Sequence, residues 1–157
     1  MNVARPRRSH RFVIDAMLKN MASWLRILGY DSIYWNGDDQ GILKLAREDG
    51  RTILTMDREL ASTARRRGLD VLLLRENDVS EILAQLAFKL GLNLDFSPSS
   101  TRCPVCNHRL MLVNQAEREE WICPGCGKRY WKGSHWRNIS RTLDEARRRL
   151  EKLLDKG

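Results

Sequence analysis

The 157 residues carry 28 Lys/Arg against 20 Asp/Glu, a net charge of +8, with 42% hydrophobic and 31% charged residues; that balance excludes a disordered chain and leaves room for one domain core plus a small appendage. No apolar run approaches the ~20 residues that span a bilayer, and the basic opening MNVARPRRSHRF lacks the apolar core of a secretory signal, so a cytoplasmic protein without membrane partners is expected. Charge is segregated: residues 1–11 hold four basic and no acidic residues, 12–96 eleven and thirteen, 97–138 seven and three, and 139–157 six and four. Basic flanks around a mildly acidic middle point to a polyanionic partner such as nucleic acid, against the plainer reading of solvated surface Lys and Arg.

Along the chain, FVI (12–14) reads as a short strand, and Met17, Met21, Trp24, Leu25 and Leu28 then recur at helical spacing up to Gly29. SIYW (32–35) is a second strand, GDDQ a loop, and GILKLARED a short helix ended by Gly50. TILTM (52–56) is a third strand, RELASTARRR a helix closed by Gly68, and DVLLL (70–74) a fourth strand. DVSEILAQLAFKLG follows as a helix capped by Asp78 or Ser80 and stopped by Gly91. Alternating strands and helices predict βαβ units, hence an α/β fold with a mainly parallel sheet. NLDFSPSS (93–100) breaks the pattern as a linker. After the cysteine segment, ISRTLDEARRRLEKLLDKG is an amphipathic helix with Ile139, Leu143, Ala146, Leu150, Leu153 and Leu154 on one face. Three units result: an α/β body at 12–96, a cysteine-bearing segment at 97–138 and a helix at 139–157.

Acids follow three successive strands: Asp15 after FVI, Asp38 and Asp39 after SIYW, and Asp57 after TILTM. The carboxyl ends of parallel strands form one edge, outside which ligands bind. Carboxylates gathered there repel unless a cation sits among them, and an oxygen-only site suits Mg²⁺ or Mn²⁺. Such ions serve phosphodiester hydrolysis. Each Asp taken singly is explained as a helix cap or turn residue; the coincidence at three strand ends favours the metal site. Glu59, Glu76 and Asp78 are further acids near the same rim. His10, His108 and His135 all lie outside the α/β body, and no glycine-rich phosphate loop is present.

CPVC (103–106) and CPGC (123–126) are separated by 16 residues, the pattern of a closed four-thiolate zinc site. Cys103, Cys106, Cys123 and Cys126 leave no open coordination position, so the zinc is expected to be structural and to supply much of the folding energy of a small segment. RLMLV and EEWI between the pairs predict a hairpin. GKRYWKGSHWRN then interleaves Lys128, Arg129, Lys132 and Arg137 with Tyr130, Trp131 and Trp136. Cations among aromatics suit single-stranded RNA, although Tyr130 and Trp131 could instead fill the seam with the sheet. Trp131, His135 and Trp136 are the candidates for exposed contacts.

FVIDAMLKNMASWLRILGYDSIY, DDQGILKLAREDGRTILTMDREL and a double CxxC ribbon closing in YWKGSHW together resemble the Mut-seven C-terminal RNase family, a PIN-like domain followed by a zinc ribbon, over roughly residues 12–138. The resemblance implies a PIN-like α/β nuclease body at 12–96 with a Mg²⁺- or Mn²⁺-dependent acidic site. It makes Asp15 the first-strand acid, Asp57 the acid of a T-x-D element, and Asp39 the acid opening the second helix, with Asp38 in reserve. Glu59 keeps a carboxylate where relatives often have a second acid after that element, and Glu76 and Asp78 compete for a fourth position.

The expected function is therefore a metal-dependent ribonuclease, read first as an endonuclease. Its basic arm, ribbon and last helix would hold RNA (rRNA, tRNA or a ribosomal site), with Arg58 touching phosphate. The alternative is a non-catalytic RNA- or ribosome-binding module. A third reading is a protein scaffold using the leucine face of 139–154.

Overall fold

Short apolar strands joined by helices that bury one face have a single economical arrangement, a parallel sheet covered on both sides. A computed structural model of the chain describes residues 10–76, 78–114 and 118–156, so most of the basic arm ahead of His10 lies outside the described residues. Strands β1 (Arg11–Asp15), β2 (Asp31–Trp35), β3 (Thr52–Thr55) and β4 (Val71–Leu73) form an all-parallel sheet in the order β2-β1-β3-β4. The connecting helices are α1 (Lys19–Ile27, entered through a 3₁₀ turn at Ala16–Leu18), α2 (Asp39–Asp49), α3 (Arg58–Arg66) and α4 (Val79–Leu90).

Strand side chains alternate between faces, and β1 feeds two cores. Phe12 and Ile14 join Met21, Leu25, Leu83 and Leu86 on one side, while Val13 joins Ile42, Leu43, Ile53 and Leu60 on the other. Helix α5 (Trp136–Lys156) packs on α4 and buries Leu143 and Ala146 in the first of these cores. It begins three residues earlier than the expected 139, taking Trp136 into its first turn. Ile139 and Leu150 pack at the margin of the core, whereas Leu154 is 58% exposed and falls off the apolar face. No helix among the described residues is long and apolar enough to cross a membrane.

The cysteine segment is a three-stranded antiparallel sheet of β5 (Met111–Asn114), β6 (Glu120–Ile122) and β7 (Arg129–Trp131), in that order; the third strand extends the expected hairpin. The 93–100 stretch is irregular but firmly tied. Leu92 and Leu94 are buried, and the Tyr30 hydroxyl both donates to Asn93 O (3.1 Å) and accepts from Asn93 N–H (2.7 Å).

The segment docks where the strands begin. Asn107 reaches the first residues of β2, its Nδ2 donating to Asp31 Oδ1 (2.7 Å) and its Oδ1 accepting Ser32 N–H (3.1 Å). Arg26, at the end of α1, donates to Pro104 O (2.9 Å), and Thr101 Oγ1 donates to Ile27 O (2.7 Å). Asp31 also receives buried Arg51 at 2.8 Å. Burial alone would raise the Asp31 carboxyl, but the hydrogen bonds from Arg51 and Asn107 outweigh it and hold it at about 2.

Candidate functional site

The three strand-end acids arrive at the carboxyl edge of the sheet, each held by the element that follows it. Asp15 ends β1, its Oδ1 accepting Ala16 N–H (2.9 Å) at the 3₁₀ turn. Asp57 caps α3, its Oδ1 accepting both Glu59 N–H (2.9 Å) and Leu60 N–H (3.2 Å). Asp38 caps α2 through Gly41 N–H (2.8 Å), which makes Asp39 the first residue of that helix, where the sequence suggested a loop. The capping explanation therefore holds for Asp57 and, at the 3₁₀ turn, for Asp15, and Asp38, explained singly as a turn residue, is a cap as well. It does not compete with ligand binding: Asp57 spends one oxygen on both amides, and its Oδ2 has no hydrogen-bond partner among the described residues.

Asp39 is exposed, yet its carboxyl is raised, first by what desolvation it has and then by Asp57, Asp15, Asp38 and Glu59 in turn. One carboxylate thus feels four others drawn from three strand ends. The donor set is oxygen-only and crowded with negative charge, a chemistry that fits Mg²⁺ or Mn²⁺. Of the other rim candidates, Asp78 occupies the N-cap position of α4, but its carboxylate pairs with Arg149 and makes no capping hydrogen bond, and the Ser80 hydroxyl donates to Thr142 O. Glu76 is exposed beside Arg65 and Arg75, on the β4 side. Arg58 is exposed in the first turn of α3 beside Asp57.

Two supporting residues escaped the sequence reading. Thr55, fully buried at the end of β3, donates its hydroxyl hydrogen to Asp15 Oδ2 (2.8 Å) and accepts Asp57 N–H (3.0 Å), so one hydroxyl sets two of the acids. The threonine of the T-x-D element, two positions before Asp57, was the available signal, but only its acid was given a role. Trp35 donates Nε1–H to Asp38 O (2.9 Å) and lies over the start of α2, where a Cβ on Gly41 would collide with its ring. Gly41 is thus required for the Asp38 cap to close beneath the indole.

The second cluster lies beyond the opposite edge of the sheet, with the five-residue strand β1, roughly 16 Å long, between the two edges. All four cysteines are free, and their sulfurs lie within 4.8 Å of one another; among the described residues theirs is the group of possible metal ligands that converges so tightly. Each pair sits on the same turn. Cys103 N–H donates to His108 O (2.8 Å) and Asn107 N–H returns to Cys103 O (2.9 Å), with Asn107 at φ 71°. Cys123, Lys128 and Gly127 repeat this at 2.9 and 2.8 Å, with Gly127 at φ 78°. A tetrahedral ion with ~2.3 Å bonds to sulfur separates its ligands by ~3.8 Å. Cys103 and Cys126 stand at 3.8 Å, and Cys106 and Cys123 at 3.2 Å, so the cluster could hold zinc with a small opening of one pair.

Charge crowding is again evident. Burial pushes the Cys103 thiol up, but the Tyr130 hydroxyl and backbone amides bring it down to about 6. At Cys106 the His108 amide lowers the thiol, yet contacts with Cys123 and the other sulfurs outweigh it and push it up to about 12.

Of the residues expected to meet RNA, Lys128, Arg129, Lys132 and His135 are exposed and Trp131 is 51% exposed, while Trp136 is half-buried. They stand on the ribbon side of the molecule, not beside the acids.

An all-parallel sheet with carboxylates at its carboxyl edge, followed by a four-cysteine ribbon, defines an α/β module with an appended ribbon that could hold zinc. The model of the Mut7-C RNAse domain family matches residues 10–143, and the chain belongs to that family. The match spans sheet, ribbon and the first part of α5, making this a ribonuclease-type module whose substrate class is RNA. Neither the curated proteins nor the solved structures gave a match.

Proposed function

We propose that the chain hydrolyses RNA phosphodiesters at the carboxyl-edge rim, cutting internally, with Mg²⁺ or Mn²⁺ held by Asp15, Asp39 and Asp57. Asp38 completes the cap of α2 and stands in reserve, and Glu59 supplies a further carboxylate two residues after Asp57. The carrying observation is that Asp15, Asp38 and Asp57 follow the carboxyl ends of three adjacent strands, with Thr55 bonded to both Asp15 and Asp57; the carboxyl of Asp39 beside them is raised first by desolvation and then by Asp57, Asp15, Asp38 and Glu59. The cation, when bound, would polarise the scissile phosphate and activate water. Thr55 fixes the separation of Asp15 from Asp57, and Arg58 is positioned to neutralise a phosphate oxygen beside them.

In this reading residues 12–96 are the nuclease body, 97–138 the ribbon and 139–157 the main length of the C-terminal helix. Zinc on the four cysteines is structural, because four thiolates close the coordination shell. Lys128, Arg129, Trp131, Lys132, His135 and Trp136 bind RNA.

A second reading, a non-catalytic RNA- or ribosome-binding module, draws on the wider spacing of the rim acids, which do not converge as the cysteines do. Cleavage of an end-labelled RNA in Mg²⁺ or Mn²⁺ separates the two. The nuclease reading expects internal cuts that EDTA abolishes and that Asp15→Asn and Asp57→Asn each reduce by roughly 100-fold or more. Salt-sensitive RNA binding without any metal-dependent cut supports the binding module instead.

A further inference from the structure

Between the ribbon, the 93–100 stretch and the start of α5 lies a cavity of about 110 Å³, walled by Phe96, Trp121, Tyr130, Trp131, Lys132 and Trp136. Taking the chain to act on RNA as proposed above, we infer that this cavity holds a single unpaired RNA base. It would anchor the strand at the sheet edge remote from the acids.

The walls supply what a base needs. Phe96 packs edge-on against Trp121 and Trp136, with centroids 5.8 and 4.7 Å away, giving rigid aromatic sides. Trp131 presents an exposed indole with the Arg118 guanidinium 5.0 Å from its ring. Lys132 Nζ stands 4.6 Å from the Trp136 ring and 5.4 Å from the Phe96 ring, held there by Glu119 at 2.9 Å. Residues 97–138 as a whole carry seven basic and three acidic side chains, a surplus suited to the phosphates on either side of an inserted base. Aromatic walls with cations at the rim are the chemistry of single-strand binding.

Several polar groups of the walls are turned to the protein itself. Trp121 Nε1–H is spent on Pro98 O (2.8 Å), Thr101 Oγ1 on Ile27 O (2.7 Å) and Arg102 Nη1 on Asn107 O (2.9 Å), while the Tyr130 hydroxyl lies 3.1 Å from Cys103 Sγ. With these four groups engaged internally, stacking on the aromatic walls is the main hold on a base, which selects an unstacked base over a paired one.

Position gives a further consequence. Ile27 and Pro104 tie the cavity to the sheet edge where β1 begins, whereas Asp15 ends that strand. Strand β1 alone spans roughly 16 Å, so the cavity stands at least that far from Asp15, a span of about five stacked nucleotides at ~3.4 Å each and fewer if the strand is stretched. The anchored base therefore sits several nucleotides from the scissile phosphate, and RNA too short to span both has no anchor.

The test uses the full zinc-loaded chain in EDTA-free buffer with Ca²⁺ in place of Mg²⁺ or Mn²⁺. Single-stranded RNAs carrying one 2-aminopurine at successive positions are titrated by fluorescence. We expect strong quenching at one or two positions and none in a blunt duplex. Trp131→Ala weakens single-strand binding by about 5- to 100-fold, the range of one lost stacking contact, and Trp131→Phe restores most of it. In Mg²⁺ the Ala variant lowers kcat/KM chiefly through KM. Because Trp131 is exposed, its removal leaves the core intact; Lys132→Ala provides a second probe. Trp131→Ala and Lys132→Ala variants that bind and cut single-stranded RNA like the parent would overturn the base pocket and leave the nuclease proposal standing. A parent chain that neither binds nor cuts RNA overturns both.

Discussion

Replacing Thr55 with valine keeps the outline of a fully buried side chain and deletes one hydroxyl. That hydroxyl donates to Asp15 Oδ2 at 2.8 Å and accepts Asp57 N–H at 3.0 Å. A hydrogen bond to a charged group contributes about 1.5–3 kcal/mol and one between neutral groups about 1 kcal/mol, so Thr55→Val should cost about 2–4 kcal/mol of stability. The cost falls at the upper end if the Asp57 amide gains no water. A functional effect accompanies it. With Asp15 released from its neighbour, affinity for Mn²⁺ should fall by roughly 10- to 100-fold, as when the group behind a metal ligand is lost. Thr55→Ser keeps the hydroxyl and should recover most of both losses. Urea unfolding without divalent ions measures the first effect, and calorimetric Mn²⁺ titration of the same samples the second. A valine variant with parental stability and Mn²⁺ affinity would refute the reasoning, as would a serine variant damaged as badly as valine.

At Asp39 the raised carboxyl means that stability is full below its unfolded value and declines as pH rises through the folded one. Asp39→Asn should therefore gain a few tenths of a kcal/mol at neutral pH without metal, the side chain being exposed and screened, and should lose the thermal shift that Mn²⁺ gives the parent. A melting series with and without Mn²⁺ decides this, and an Asn variant still stabilised by Mn²⁺ argues against Asp39 as a ligand. Asp31, held at about 2 by Arg51 and Asn107, contributes stability that is present above its unfolded value and lost as pH falls from about 4 toward 2. About 1–2 kcal/mol is expected after allowing for screening. Acid titration of unfolding should find this limb flattened in Asp31→Asn; an unchanged limb would assign it to other groups. Metal analysis should return one zinc per chain, and Cys123→Ser should abolish it. Hydrogen exchange should then show β5–β7 unprotected while β1 and β3 stay protected, because zinc closes only the ribbon. Full ribbon protection without zinc would contradict that role.

The parallel sheet was legible because its strands are apolar runs and its helices keep a 3.6-residue period between glycine stops. The four-cysteine cluster was legible because the CxxC spacing carries the geometry of the turn. Residues that work through tertiary partners were less so. Strand β7 is three residues, Arg129–Trp131, and exists by pairing with β6. Asp78 stands before α4 like a cap, yet Arg149, 71 positions away, takes its carboxylate. Leu154 fits a helical stripe on paper, but α4 ends its cover before that turn, and the side chain is exposed. The opposition of ribbon and acids across the sheet depends on Asn107 in its left-handed turn reaching Asp31, a contact between residues 76 apart. Local patterning carries no record of such a pairing. Asp15, Asp38, Asp39 and Asp57 share a rim because strand ends in a parallel sheet share an edge, which is a property of topology that alternation alone can reveal.

The central claim is that Asp15, Asp39 and Asp57 hold a divalent cation. Crystals soaked in Mn²⁺ and measured at the manganese absorption edge test it most directly. The account predicts an anomalous peak at the carboxyl edge of the sheet, about 2.0–2.2 Å from carboxylate oxygens of those residues, that disappears in Asp57→Asn. A rim free of anomalous density, in a protein that still cuts RNA, would contradict it.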